Sequence, residues 1–144
     1  MFDFIPDVQR LTQIFSQATA PAFFLGAIAA FMSLMSSRLS TILGRIRALN
    51  NIPNDDANRS HLKSDVDRLR RRAAYLSSGI YASLISGICA TFLLAILFAS
   101  EFVGLKYAYG AGLLFFAATM FLGFGLFRFA QEARIGLVDF DEFE

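Results

Sequence analysis

Three long apolar stretches, at residues 18–37, 73–100 and 109–129, divide the chain into alternating hydrophobic and polar segments. None of them carries Asp, Glu, Lys or Arg before its final residues. A helix of about 20 apolar residues is long enough to cross a hydrocarbon core of about 30 Å. The pattern therefore predicts an all-α, polytopic membrane protein with three transmembrane helices.

The segment before span one, residues 3–17, has a helical pattern of its own. Its apolar residues recur at steps of three and four, at Phe4, Val8, Leu11 and Phe15. This is the period of an amphipathic helix, which rests its apolar face in the headgroup boundary. We expect an interfacial helix at the outer surface of the membrane. The alternative is that the segment extends span one, with a bend near Pro21.

Residues 38–72, between spans one and two, also show a helical period. Two apolar seams with heptad-like spacing run through this segment: Leu39, Ile42, Ile46 and Leu49, then Leu62, Val66, Leu69, Ala73 and Leu76. The link between the seams contains Pro53 and several Asn and Asp residues, which is a composition that breaks helices. We therefore predict an antiparallel helical hairpin that continues spans one and two beyond the membrane.

The basic residues indicate which side of the membrane this hairpin faces. Nine of the 13 Lys and Arg residues lie in segment 38–72. Loops rich in Lys and Arg stay in the cytoplasm. We therefore expect a cytoplasmic hairpin, a periplasmic N-terminus and a cytoplasmic, acidic tail at residues 130–144.

Composition supports a membrane protein and offers no catalytic chemistry. The chain is 56% hydrophobic and 17% charged, whereas soluble domains carry about 25% charged residues. His61 and Cys89 are the only residues of their types, and no cluster has metal-ligand spacing. The spans hold no base that would activate a serine. We expect a non-enzymatic protein without cofactor or metal.

Small residues predict how the spans pack. Gly26 in span one, and Gly79 and Gly87 in span two, belong to rows of small side chains that let helix backbones approach closely. We expect span two to be the central helix and the protein to form homo-oligomers. An alternative is an oligomeric channel, for which the candidate pore-lining residues are the hydroxyl side chains Ser33, Ser37, Ser83 and Ser86.

The arginines of the hairpin are the candidate binding residues. They are Arg38, Arg45, Arg47, Arg70, Arg71 and Arg72. Basic clusters beside a span attract anionic lipids, and guanidinium groups also match the carboxylates of a protein partner. The alternative is that they only determine topology. No nucleic-acid-binding module is visible, so we expect no nucleic-acid partner.

Several short motifs resemble one family of small proteins. They are Ala20-Pro21, Gly26, Ser37-Arg38-Leu39, the Arg-Ile-Arg-Ala-Leu run at 45–49, the three arginines at 70–72 and the Phe-Ala-Gln-Glu-Ala-Arg run at 129–134. Together they resemble the bacterial three-span proteins of the domain of unknown function 2721, over about residues 10–136. The resemblance implies the same fold in a bacterial inner membrane, and it supplies no mechanism.

Overall fold

The structure, a computed structural model, describes residues 8–52, 65–104 and 108–141. These residues form three helices: α1 (Val8–Asn50), α2 (Asp65–Val103) and α3 (Ala108–Asp141). Each is long and apolar enough to cross a membrane. In hydrocarbon a helix satisfies its backbone hydrogen bonds internally, which explains why the three apolar stretches take this form. The predicted all-α fold with three spans is confirmed.

The helices end where local chemistry predicts. Asp65 and Asp67 occupy the first turn of α2, where the helix dipole favours negative charge. Beyond α2, Gly104 has a φ of 68°, a left-handed conformation that glycine adopts without steric cost. After α1, the amide of Asn51 donates to the carbonyl of Arg47 at 3.1 Å.

The first turns of α1 continue into span one without a break. Residues 8–17 share one helix with Pro21, which is buried inside α1. At this end Arg10 Nε lies 3.8 Å from Oε2 of Glu101 near the end of α2. The segment from Val8 therefore has the form of the alternative, an extension of span one, while residues 3–7 lie outside the described residues.

The predicted hairpin seam is the main hydrophobic core of the protein. Its buried and partly buried members come from both helices: Met35, Leu39, Ile42, Ile46 and Leu49 of α1, and Val66, Leu69, Ala73 and Leu76 of α2. They include every predicted seam residue that the structure describes. The ends of α1 and α2 therefore pack as an antiparallel pair, and Leu62 of the second seam lies outside the described residues.

The three helices pack with α2 in the centre, as its small residues predicted. It contacts α1 and α3 extensively, whereas those two approach each other closely at few positions. Long side chains make the connection between α1 and α3, including Phe24 with Phe115 and Phe31 with Phe129. The described part of the predicted tail, residues 130–141, continues α3 as helix.

Candidate functional site: the arginines at the hairpin end

One acidic residue joins all three helices where the spans meet the hairpin. Glu132 of α3 is fully buried, and the guanidinium groups of Arg38 in α1 and Arg72 in α2 converge on it. Arg38 follows span one, Arg72 precedes span two and Glu132 follows span three. Because the helices alternate in direction, these three positions meet at the same end of the protein. We call this group the Arg38–Glu132–Arg72 cluster.

Both guanidiniums bind the carboxylate at hydrogen-bonding distance. Arg72 donates to Oε1 of Glu132 from Nε at 3.0 Å and from Nη2 at 2.8 Å. Arg38 donates from Nη2 to the same oxygen at 3.2 Å. The same nitrogen lies 3.0 Å from Oε2, an ion pair rather than a hydrogen bond, because no donor of the described residues is directed at Oε2.

The cluster carries more positive than negative charge. A buried carboxylate needs a cationic partner, because taking an ion out of water costs several kcal/mol. Two guanidiniums on one carboxylate satisfy that need and leave a charge of +1 for these three groups. The side chain of Arg72 is 14% exposed and that of Arg38 is 37% exposed. The excess charge therefore reaches the surface on the α1 side.

Aromatic and glycine residues hold the cluster in place. The guanidinium of Arg38 lies 5.3 Å from the ring centre of Phe129, within the range of a cation–π interaction. Gly136, one turn beyond Glu132, leaves room for both arginines. A Cβ at that position would lie 3.0 Å from Nη2 of Arg72 and 3.8 Å from Nη2 of Arg38. An alanine there would require the guanidinium of Arg72 to shift by a few tenths of an ångström.

The other four candidate arginines lie outside the cluster. Arg45, Arg47, Arg70 and Arg71 are exposed, and none of them forms an ion pair with the residues that the structure describes. The structure thus divides the six candidates in two. Arg38 and Arg72 connect helices, while the other four present guanidiniums that have no acidic partner among the described residues of the hairpin.

The glycines singled out for packing have different surroundings. A Cβ on Gly79 would lie 3.2 Å from the carbonyl oxygen of Gly125, so α2 and α3 approach closely there. A Cβ on Gly87 would make an ordinary contact, at 3.8 Å, with Ile28 of α1. Gly26 has no atom of the described residues within 4 Å of that position. Gly79 and Gly87 thus face neighbouring helices, and Gly26 faces outward.

The candidate pore-lining serines also divide into two pairs. Ser83 and Ser86 are fully buried, and Ser86 donates to the carbonyl oxygen of Ala118 at 2.6 Å. Ser33 and Ser37 are exposed on α1. The structure therefore places Ser83 and Ser86 within the three-helix unit, and Ser33 and Ser37 on its outer surface.

Comparison with protein-family models identifies the family of this protein. The family model described as "Protein of unknown function (DUF2721)" matches residues 18–140, which include all three members of the Arg38–Glu132–Arg72 cluster. The chain belongs to this family. The resemblance stated from the motifs is confirmed. Searches of curated proteins and of solved structures found no match.

Glu132 is the residue of this DUF2721 chain that sequence reasoning missed. The sequence pattern places it in the acidic tail and in the motif at 129–134, and it places Arg38 and Arg72 among the candidate binding arginines, without predicting that the three meet. The signal was available in their positions: each lies at the hairpin end of a different span. A single acid at that depth, facing two arginines across a helix bundle, predicts an ion cluster rather than a solvated tail.

Proposed function

We propose that this DUF2721 protein is a non-enzymatic accessory or assembly protein of a bacterial inner membrane, and that its hairpin binds anionic lipid headgroups on the cytoplasmic side. The observation that carries the proposal is the set of four exposed arginines without acidic partners among the described residues: Arg45, Arg47, Arg70 and Arg71. The concentration of basic residues in segment 38–72 supports the orientation.

The four arginines lie along the helix axes at or just beyond the hairpin ends of the spans, where lipid headgroups are expected. Arg70 and Arg71 adjoin Arg72 and are therefore level with the Arg38–Glu132–Arg72 cluster. Arg45 and Arg47 lie about 10 and 13 Å beyond Arg38 along α1. Helical side chains point toward the N-terminus of their helix, so those of α1 reach back toward the membrane. A basic residue near an anionic surface contributes about 1 kcal/mol to binding.

The packing of the hairpin also favours a fixed binding surface. Its two helices share a hydrophobic core, and the Arg38–Glu132–Arg72 cluster fastens its base to α3. A rigid scaffold lowers the entropy cost of holding several arginines together. An acidic protein partner would meet the same guanidiniums. Lipid is favoured because anionic headgroups surround every copy of a spanning protein.

Phosphatidylglycerol binding in neutral detergent tests the proposal. The quadruple variant replaces Arg45, Arg47, Arg70 and Arg71 with Gln. This removes about 3–4 kcal/mol of attraction and is expected to weaken binding more than a hundredfold. The control is Arg134→Gln, an exposed arginine on α3. Wild-type binding should weaken as salt rises and should be weak for zwitterionic phosphatidylcholine. Unchanged phosphatidylglycerol binding by the quadruple variant would contradict the proposal.

The proposal includes self-association through the outer face of α1. Gly26, Ser33 and Ser37 leave that face lined with small groups, and a second helix can approach such a surface closely. Gly26→Leu should reduce crosslinked oligomers in membranes, whereas Gly110→Leu, which also has open space around it, should not. Equal crosslinking of both variants would contradict this interface.

The channel alternative receives less support than lipid binding. A pore on an oligomer axis would be lined from the outer surface of each three-helix unit. Ser83 and Ser86 are buried between helices, and only Ser33 and Ser37 of the four candidate residues are exposed. No observation on the described residues favours conduction over lipid binding.

A further inference from the structure

An apolar groove runs between α1 and α2 at the level of the spans. Its volume is about 470 Å³, within the range of about 300–1,000 Å³ that ligand sites show. Its described walls are mostly Leu25, Ile28, Ala29 and Met32 on α1, and Leu84, Gly87, Ile88 and Phe92 on α2. We call it the α1–α2 groove.

This groove opens on the side of α1 that faces away from α3. The contacts of α1 with α3 come from Phe24, Phe31 and Arg38, which recur every seven residues on one side of the helix. The groove residues of α1 lie on another side, and every described lining residue belongs to α1 or α2. The groove is therefore accessible from the surrounding lipid.

A second, shallower groove continues the same face of α1 toward the hairpin. Its volume is about 360 Å³, and its described lining residues are Ser36, Leu39, Ser40, Leu43, Gly44 and Arg47. Ser36 follows Met32 of the α1–α2 groove by one helical turn on the same face. Arg47 is exposed and has no ion-pair partner among the described residues. The face thus changes from wholly apolar to hydroxyl-bearing to cationic.

We propose that these two grooves form one binding site for an anionic phospholipid, with an acyl chain in the α1–α2 groove and the phosphate at Ser40 and Arg47. The site rests on the proposed function, because it gives one lipid a defined position on a protein that binds anionic headgroups. A guanidinium and a serine hydroxyl both donate hydrogen bonds, which suits phosphate oxygens.

The length of the site matches one leaflet. Arg47 lies about 28 Å from Ile28 along the α1 axis, and its side chain points back toward the membrane by about one turn. The guanidinium therefore lies about 23 Å from the middle of the α1–α2 groove. Half of a bilayer, including its headgroup region, measures about 20–23 Å. A lipid that reaches Arg47 with its phosphate would therefore place its acyl chain in the groove.

The shape of the groove favours a lipid chain over a helix of a second copy. Helices in membranes associate through small residues that allow close backbone approach. Here the walls combine bulky side chains, such as Leu25, Leu84 and Phe92, with small residues that leave space between them: Ala29, Ser83, Gly87, Thr91 and Ala95. A narrow, flexible chain can enter that space, whereas a helix would be held off by the walls.

Native mass spectrometry of the detergent-purified protein, with added phosphatidylglycerol or phosphatidylcholine, tests the site. Ala29→Phe fills the α1–α2 groove, and its control is Ala27→Phe, an exposed position of α1 that neither lines the groove nor belongs to the row of Gly26, Ser33 and Ser37. Thr91→Phe on the opposite wall provides a second filling variant. Arg47→Gln removes the proposed phosphate ligand, and its control is Arg134→Gln, an exposed arginine on α3 that lies outside both grooves.

The expected result is one retained phosphatidylglycerol on the wild type, Ala27→Phe and Arg134→Gln proteins. Ala29→Phe and Thr91→Phe should lose it, and Arg47→Gln should weaken it about fivefold. Retention by both filling variants, with equal binding by Arg47→Gln and Arg134→Gln, would overturn the site and leave the proposed function standing. No preference for phosphatidylglycerol in any protein would overturn both.

Two further outcomes would also overturn the site. Equal retention of phosphatidylcholine and phosphatidylglycerol, lost in Ala29→Phe, would show a groove that binds any acyl chain without the phosphate contact. A wild-type dimer without bound lipid, lost in Ala29→Phe and kept in Ala27→Phe, would show that a second copy of the chain occupies the groove.

Discussion

Replacing Glu132 with Gln tests the part of the structure that depends most on one side chain. Gln keeps the shape of the side chain and removes its charge. Arg72, only 14% exposed, would then lie beside Arg38 without the carboxylate between them. Removing one partner from a buried ion pair costs about 3–5 kcal/mol, because the remaining charge stays desolvated. We expect Glu132→Gln to lower the free energy of unfolding by that amount.

Unfolding by SDS in mixed micelles, followed by circular dichroism, measures this cost. The chain has no Trp, so the helical signal replaces tryptophan fluorescence. Glu101→Gln is the matched control: this residue lies 3.8 Å from Arg10, and the Arg10 side chain is 69% exposed. An exposed pair of this kind contributes less than about 1 kcal/mol.

A double variant tests the electrostatic explanation directly. If the cost of Glu132→Gln comes from losing the carboxylate that lies between two guanidiniums, adding Arg38→Gln should recover part of the lost stability. The cycle therefore predicts strong coupling between the two positions. Additive costs for the two substitutions, or equal stability losses in Glu132→Gln and Glu101→Gln, would refute the reasoning.

The contacts between α2 and α3 give two further predictions, both measured by the same unfolding assay. Gly125→Ala should lower the free energy of unfolding by about 1–3 kcal/mol, because its Cβ would lie 2.9 Å from Oγ of Ser83. Gly123→Ala is the control, because a Cβ there would meet no described atom within 4 Å. Equal losses in the two variants would contradict the close contact. Ser86→Ala should cost about 0.6–1.7 kcal/mol through its lost hydrogen bond. Ser83→Ala should cost less, since its hydroxyl has no hydrogen-bond partner among the described residues; the opposite order would contradict this account.

Periodicity made much of the fold predictable. The seam residues Ile42, Ile46, Val66 and Leu69 recur at helical spacing, and the structure buries all of them in one core. The spans were predictable because their length and lack of charge leave few alternatives in hydrocarbon. The rows of small residues on span two also predicted its central position.

Contacts between helices were less predictable. Helical periodicity shows which residues share one face of a helix, but it does not show which other helix packs against that face. Gly26 and Gly79 both belong to rows of small residues, yet among the described residues only Gly79 of these two meets another helix. Glu132 and its two arginines are more than 50 residues apart in sequence, and their meeting depends on how deeply each helix is placed. A count of charges by segment carries no such information, so it grouped Arg38 and Arg72 with the exposed arginines.

Cysteine labelling in intact cells tests the central claim that three helices span the membrane with the arginine hairpin inside. Cys89→Ala removes the one native thiol, and Asn51→Cys or Phe102→Cys then marks opposite ends of the exposed surface. With a membrane-impermeant maleimide, position 102 should react in intact cells and position 51 only after permeabilisation. Labelling at position 51 in intact cells would place the hairpin outside and contradict both the orientation and the lipid site.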